Sequence, residues 1–281
     1  MSIFGLLGYP LEHSFSPLYM NKLFKIEELP HYYEVFSVEK DKVKTFIEHL
    51  RLFNIRGINI TIPYKTDVLA YVDELSPEVE IMNACNVIDV KKDKLIAHNT
   101  DWYGFTKALK IKGVTIKGKN IFIYGSGGAS KSVFYAVSRA QANRVTFLAR
   151  TPQKAMELVD LISEEYPVRT KIIEWKKGIE DAIKDEILSS HIVVNTTPLG
   201  MYPHVETMPP VPDIDLSGKI FFDLVYNPLV TRFLEFSALR GADTLNGMYM
   251  LMYQGAKALS IWLGGEFEDK VKKVFKELKF I

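Results

Sequence analysis

Two successive alternations of strand-like and helix-like segments predict an α/β protein of two domains, each built on a largely parallel sheet covered on both sides. The prediction rests on an alternation over the first hundred residues and a second one from about residue 120 in Rossmann-like, doubly wound order. A glycine-rich turn joins a strand to a helix at the start of that second series. A length of 281 residues suits two domains of ordinary size.

In the first series, SIFGLLG reads as a strand, residues 17–24 as a helix and HYYEVFSV as a strand. Residues 40–53 have helical spacing, with Val43, Phe46, Ile47, Leu50 and Phe53 on one face. GINITIP follows as a strand dense in β-branched residues and stopped by Pro63. In the second series, NIFIYG, RVTFLAR, KIIEW, HIVVNTTP and KIFFDLVY read as strands. Helices are expected at 129–142 and at 152–165, the latter with proline at its start. Residues 247–263 and 266–280 read as two closing helices, and periodicity does not decide which domain they complete.

The composition excludes several function classes. Lys plus Arg number 35 against 34 Asp plus Glu, so no excess charge points to a nucleic-acid or anionic-membrane partner, and any bound anion needs a local site. The single Cys85 can form no internal disulfide, which fits a reducing cytoplasm. The opening MSIFGLLGYPLEH has neither the basic leader nor the long apolar run of a signal peptide. The longest uncharged run, 244–256, is too short to span a bilayer and contains Asn246 and Gln254. His191, Met201 and His204 show no metal-ligand spacing, and no metal site is expected.

The glycine turn is Gly125-Ser126-Gly127-Gly128-Ala129-Ser130. Gly125 permits a tight turn, Gly127 lets backbone approach a pyrophosphate, and the helix that follows offers free N–H groups to the anion. GSGGASKS also approaches a P-loop, but that pattern needs glycine immediately before Lys131, where Ser130 stands. The next strand ends in Ala149-Arg150-Thr151 with Lys154 one turn on, and no acid is present to bind the ribose hydroxyls of NAD. Arg150, Thr151 and Lys154 suit the 2′-phosphate of NADP. Thr151 before Pro152 also reads as a helix N-cap, and the two roles are compatible.

Three polar clusters mark the first domain. Gly8-Tyr9-Pro10 leads to His13-Ser14-Phe15-Ser16-Pro17, with Asn21 one turn later. Gly57-Ile58-Asn59-Ile60-Thr61-Ile62-Pro63-Tyr64-Lys65 puts Asn59 and Thr61 on one strand face with Lys65 just beyond, and Asn99-Thr100-Asp101 with Gly104 closes the domain. Hydroxyls, amides, one ammonium and one carboxylate near strand ends suit a small polyhydroxylated acid. Taken alone, Lys65 and Asp101 read as a surface ion pair of little energy. His13 reads as a brace for the serine loop, and Cys85 as a buried small side chain rather than a nucleophile.

These clusters resemble the shikimate dehydrogenase family, as do Asn195-Thr196-Thr197-Pro198-Leu199-Gly200-Met201, Asp223-Leu224-Val225-Tyr226-Asn227-Pro228, and Gly247 through Met250 to Gln254. The matches run in order along nearly the whole chain. Two positions depart: Asn83-Ala84-Cys85 stands where the family has Gly-Ala before the residue matched by Asn86, and Ala149 replaces an asparagine of the family's Asn-Arg-Thr motif.

The resemblance implies NADP-dependent interconversion of 3-dehydroshikimate and shikimate, a step in chorismate and aromatic amino-acid biosynthesis. It implies that Ser14 and Ser16 bind the substrate carboxylate with Tyr226 nearby, and that Asn59, Thr61, Asn86, Asp101 and Gln254 surround the ring hydroxyls. Lys65 and Asp101 would be the catalytic pair. Gly125, Ser126, Gly127, Gly128, Ala129, Arg150, Thr151, Lys154, Thr196, Leu224 and Gly247 would hold the cofactor. The closing helices would return to the first domain, giving a substrate domain of 1–103 plus 245–281 and an NADP domain of 104–244. Hydride delivery to a ketone builds negative charge on oxygen, and a lysine oriented by a carboxylate can stabilise that charge and supply the proton. Alternatives are a quinate or dual-substrate dehydrogenase, in which threonine often stands where this chain has Ser16, and a non-enzymatic NADP-responsive regulator, which needs no Lys65–Asp101 pair. A monomer or homodimer is expected.

Overall fold

The computed structural model describes residues 1–11 and 14–281, so the role expected of His13 lies outside the described residues. The chain divides into two compact units, Met1–Gly104 with Met252–Ile281, and Phe105–Leu251.

The first unit runs β1 (Ser2–Gly8), α1 (Ser16–Ile26), β2 (His31–Ser37), α2 (Val43–Glu48), β3 (Ile55–Ile60), β4 (Glu74–Leu75), α3 (Pro77–Met82), β5 (Val87–Val90) and β6 (Leu95–His98). Pro17 stands in the first turn of α1, which buries Tyr19, Met20, Leu23 and Phe24. Helix α2 is shorter than the spacing of residues 40–53 predicts. A 3-10 turn at Lys40–Lys42 precedes it, and after Glu48 the chain tightens into i→i+3 bonds from Leu50 to Ile47 and from Asn54 to Arg51. Asn54 then adopts φ 54°, in the left-handed region, so that Ile55 can enter β3. Phe53 is 58% exposed and off the core face, contrary to the periodic reading, while Val43, Ile47 and Leu50 are buried.

The sheet order is β2-β1-β3-β5-β6-β4. Every neighbouring pair is parallel except those of β5, which runs antiparallel to both β3 and β6. That reversed strand has a geometric consequence. The start of β5 lies level with the ends of β3 and β6, with Val87 opposite both Asn59 and His98. Residues before β5 and after β3 and β6 therefore gather at one edge.

Helix α4 (Asp101–Ile111) carries the chain into the second unit, which continues β7 (Asn120–Tyr124), α5 (Gly128–Arg139), β8 (Arg144–Ala149), α6 (Pro152–Ser163), β9 (Arg169–Glu174), α7 (Glu180–Ser189), β10 (Ile192–Asn195), β11 (Ile220–Asp223), α8 (Arg232–Ala238) and β12 (Asp243–Leu245). Its sheet is parallel throughout in the order β12-β11-β10-β7-β8-β9. The winding reverses at β7, flanked by β8 and β10, and the loops after such strands diverge to leave a crevice. The near-continuous burial of β8 and β10 explains why these strands read as apolar runs.

Helix α9 (Met248–Leu263) is unbroken from the second unit into the first, and the division falls inside it at Met252, whereas the sequence places the boundary near 245. Helix α10 (Glu268–Glu277) follows, with Val271, Val274 and Phe275 buried at the expected helical spacing. Gly57 leaves the room that Trp262 of α9 fills: a Cβ on it would lie 2.4 Å from the indole nitrogen, which donates to Ile88 O at 3.2 Å. Among the described residues, no helix is long and apolar enough to cross a membrane, and no cluster of His, Cys, Asp or Glu stands ready for a metal ion.

Candidate functional site

In the first unit the shared edge of β3, β5 and β6 assembles the polar residues. Asn86, just before β5, is buried and its backbone N–H donates to His98 O at 3.0 Å. Its side-chain Nδ2 lies 2.8 Å from Asp101 Oδ1, 3.0 Å from Thr100 Oγ1 and 3.2 Å from Gln254 Oε1. Its Oδ1 accepts the Thr100 N–H at 2.6 Å, which fixes the amide's orientation. Asp101, the first residue of α4, is steadied by its own N–H donating to Asn99 Oδ1 at 3.0 Å, while Asn99 donates to Ala84 O at 2.9 Å.

The Lys65 ammonium donates to the other carboxylate oxygen of Asp101. The side chains of this pair are only 16% and 9% exposed, so it is not the solvated surface pair that the two residues suggest in isolation. A short connection anchors the lysine, since Cys85 N–H donates to Lys65 O at 2.8 Å. Burial pushes the Cys85 thiol up to about 12, beyond the range of a nucleophile at neutral pH.

Asn59 is buried at the end of β3, accepts the Tyr33 hydroxyl at 2.7 Å and donates to Asn86 O at 3.2 Å. Thr61 lies one residue past the strand, half-buried, and is held by its N–H to Leu7 O at 2.9 Å. Ser14 Oγ accepts the Ser16 N–H at 3.2 Å, which joins the two serines at the start of α1. Gln254 is buried on α9 and belongs to this same unit, whereas Tyr226 belongs to the second.

In the second unit the loops after β7 and β10 meet. Gly125 has φ +100°, and a Cβ on it would lie 2.9 Å from Thr196 Oγ1. Thr196 donates to Tyr124 O at 2.5 Å, so at its 2.5 Å contact with Ser130 it is the serine that donates. Ser130, in the third fingerprint position, is fully buried, as close helix–strand packing requires. No side chain caps α5, and a Cβ at Gly127 would meet nothing within 4 Å, so this N-terminus is an open cradle into which a ligand's phosphates can come. Ser126, Gly128 and Ala129 complete its rim.

At the end of β8, Arg150, Thr151 and Lys154 are exposed, with no ion pair involving Arg150 or Lys154 among the described residues. Thr151 occupies the N-cap position of α6, but its hydroxyl makes no capping bond, which corrects that part of the sequence reading and leaves the hydroxyl for other use. Gly247 packs so closely that a Cβ would lie 2.1 Å from Leu224 O, and its N–H donates to Val225 O at 3.1 Å. The residues present thus fit a dinucleotide with a 2′-phosphate.

Comparison with known proteins bears on both halves. The model of the shikimate dehydrogenase substrate binding domain matches residues 6–88. A shikimate dehydrogenase (NADP(+)) from Methanococcus maripaludis is 38% identical over 92% of this chain and 91% of its own. The chain belongs to the shikimate dehydrogenase family. A shikimate 5-dehydrogenase from Listeria monocytogenes, solved with shikimate and NAD, is 31% identical with a TM-score of 0.89 over 99% of this chain and 96% of that one. The family's enzyme from Thermus thermophilus, solved with NADP(H) and shikimate, is 30% identical with a TM-score of 0.80 over 98% and 100%. A 5-ketofructose reductase from Gluconobacter, 24% identical at a TM-score of 0.84 over 99% and 98%, shares the fold alone. The matched family domain includes Ser14, Ser16, Asn59, Thr61, Lys65 and Asn86 but stops before Asp101, so only the fold returns the carboxylate to its lysine.

Two further polar side chains have no role in the sequence reading, although Asp223 opens one of its motifs. Tyr33 carries a buried hydroxyl that needs a partner; it lies between the exposed Tyr32 and Glu34, but the alternation fails at Val35 and Phe36, so the sequence offers only a weak signal. Asp223 is fully buried at the end of β11, where it accepts from Asn195 Nδ2 at 2.9 Å, Val225 N at 3.0 Å and Thr231 Oγ1 at 2.6 Å. Burial, only partly offset by those donors, raises its carboxyl to about 7. An acid closing the apolar run IFFD was the cue.

Proposed function

We propose that this chain reduces 3-dehydroshikimate to shikimate with NADPH, in chorismate and aromatic amino-acid biosynthesis, with Lys65 as proton donor and Asp101 as its partner. The observation that carries the proposal is the largely buried Lys65–Asp101 pair, tied by Asn86 to Gln254 at one strand edge. A regulator that only senses NADP needs no such pair.

When bound, the reduced nicotinamide supplies the hydride to the ring ketone. Lys65 faces the charge that builds on the ketone oxygen and gives up a proton to it. Asp101 keeps that ammonium in place, and Asn86 holds Asp101 by its second oxygen. Ser14 and Ser16 take the carboxylate, with Tyr226 assisting; Asn59, Thr61, Asn86 and Gln254 take the ring hydroxyls. Gly125 to Ala129 and Thr196 receive the pyrophosphate side of NADPH, Leu224 and Gly247 its nicotinamide end, and Arg150 with Thr151 and Lys154 its 2′-phosphate. The units that carry these groups, Met1–Gly104 with Met252–Ile281 and Phe105–Leu251, serve as substrate and NADP domains.

Serine at position 16 favours shikimate over quinate, whose extra hydroxyl stands beside the carboxylate. The test follows NADPH absorbance on mixing with 3-dehydroshikimate. Stoichiometric loss of NADPH is expected, and NADPH binding without turnover would replace the proposal with the regulator.

A further inference from the structure

We infer that Tyr33 is a positioning residue for substrate binding: its buried hydroxyl aims the amide of Asn59, and Asn21 holds Tyr33 in place to do so. The inference rests on the proposed substrate role of Asn59.

Tyr33 is 1% exposed, and its hydroxyl lies 2.7 Å from Asn59 Oδ1. A carbonyl oxygen can only accept, so the phenol donates and the Asn59 oxygen is turned towards β2. The nitrogen of the same amide is 3.2 Å from Asn86 O, which also accepts the Ile60 N–H at 2.9 Å. Flipping the Asn59 amide would set its oxygen against that carbonyl and put two acceptors face to face. With both ends fixed, one N–H of Asn59 is engaged and the other is without a partner among the described residues, oriented as a donor for a hydroxyl. Asn59 itself is 6% exposed, so an amide left to rotate there would bury an unsatisfied polar atom.

The tyrosine is itself braced. Asn21 of α1 donates to Tyr33 O at 2.9 Å and accepts the Tyr33 N–H at 2.8 Å, a two-point clamp on the backbone of β2. The order is thus helix to edge strand, edge strand to buried amide, and amide to the Asn86 that holds Asp101. Asn21 sits one turn after the serine pair, so the helix that carries Ser16 also fixes the orientation of Asn59.

Tyr33→Phe tests this, measured on the full chain by steady-state kinetics and by thermal melting. The KM for 3-dehydroshikimate should rise about three- to thirtyfold, the range set by one lost hydrogen bond and a buried acceptor left unpaired. The KM for NADPH and kcat should both stay within about threefold, since the tyrosine touches neither cofactor nor reacting atoms. In an Asn59→Ala background the same change should have almost no further effect on the KM for 3-dehydroshikimate, because the residue it acts through is gone. Equal rises in both KM values, or failure of Tyr33→Phe to fold, would make Tyr33 merely structural and overturn the inference. So would full additivity with Asn59→Ala. A raised KM in Asn59→Ala with none in Tyr33→Phe overturns the inference alone, whereas no change in Asn59→Ala overturns the substrate role of Asn59 together with it.

Discussion

Replacing Lys65 with methionine keeps most of its stem and removes the ammonium that faces Asp101. A single general acid contributes about 10²–10⁴-fold in rate, so kcat should fall by that factor while shikimate still binds in calorimetry. Turnover within about tenfold of the parent would move the proton-donor role to Asp101 or to water. At the other end of the chemistry, Arg150→Gln should raise the KM for NADPH by about 10- to 150-fold, the equivalent of about 1.5–3 kcal/mol for a charge-assisted bond. The weak use of NADH should stay nearly constant, and equal losses for both cofactors would assign Arg150 to adenine stacking or to the fold. Ala149 lacks the family's amide, so discrimination against NADH should be lower than is usual for the family.

Asp223 couples stability to pH. Its ordinary value of 3.8 rises to about 7 in the fold, so the folded state binds this proton more tightly than the unfolded chain does. The resulting stabilisation is complete below about pH 4 and is lost as pH rises through about 7. Asp223→Asn removes the titration; the new amide keeps an acceptor for Asn195 and Val225, and the Thr231 hydroxyl can turn to accept from it. Melting temperatures measured between pH 4 and 7 should therefore fall more steeply in the parent than in the variant, by a few degrees across the window. Parallel curves would contradict it.

At the scale of elements, Gly247 permits a backbone crossing that no other residue allows. With a Cβ 2.1 Å from Leu224 O, Gly247→Ala must shift the 224–226 turn. Overpacking of this kind costs about 1–3 kcal/mol, and the KM for NADPH should rise at least about fivefold while the KM for 3-dehydroshikimate changes less. An unchanged melting temperature and an unchanged KM for NADPH would contradict the crowding.

Legibility also divides by element. The buried runs of β7, β8, β10 and β11 were readable because both faces are apolar. Strands β4 to β6 have two to four residues each, too few for a period to show, and the antiparallel sense of β5 is a tertiary fact. The glycine turn and the polar clusters stood out by residue type. The roles of Tyr33 and Asp223 are not legible there, because a tyrosine in a strand and an acid at a strand end are ordinary until their burial is known. The early end of α2 at Glu48 lies in a tightening into i→i+3 turns, and the exit into β3 in the left-handed backbone of Asn54; periodicity reveals neither.

The whole molecule combines two sheets with different tasks: a mixed one whose reversed strand gathers Asn86, Lys65 and Asp101, and a parallel one whose crevice at β7 offers an uncapped helix. Neither task alone is a dehydrogenase, and the fold is shared with a 5-ketofructose reductase. Substrate identity therefore rests on the residues and is decided by comparing acids on one preparation. The measurement is the specificity constant for oxidation of shikimate and of quinate with NADP. Shikimate should be oxidised far better than quinate; a quinate constant equal to or above that for shikimate, or no turnover of either, would contradict the account.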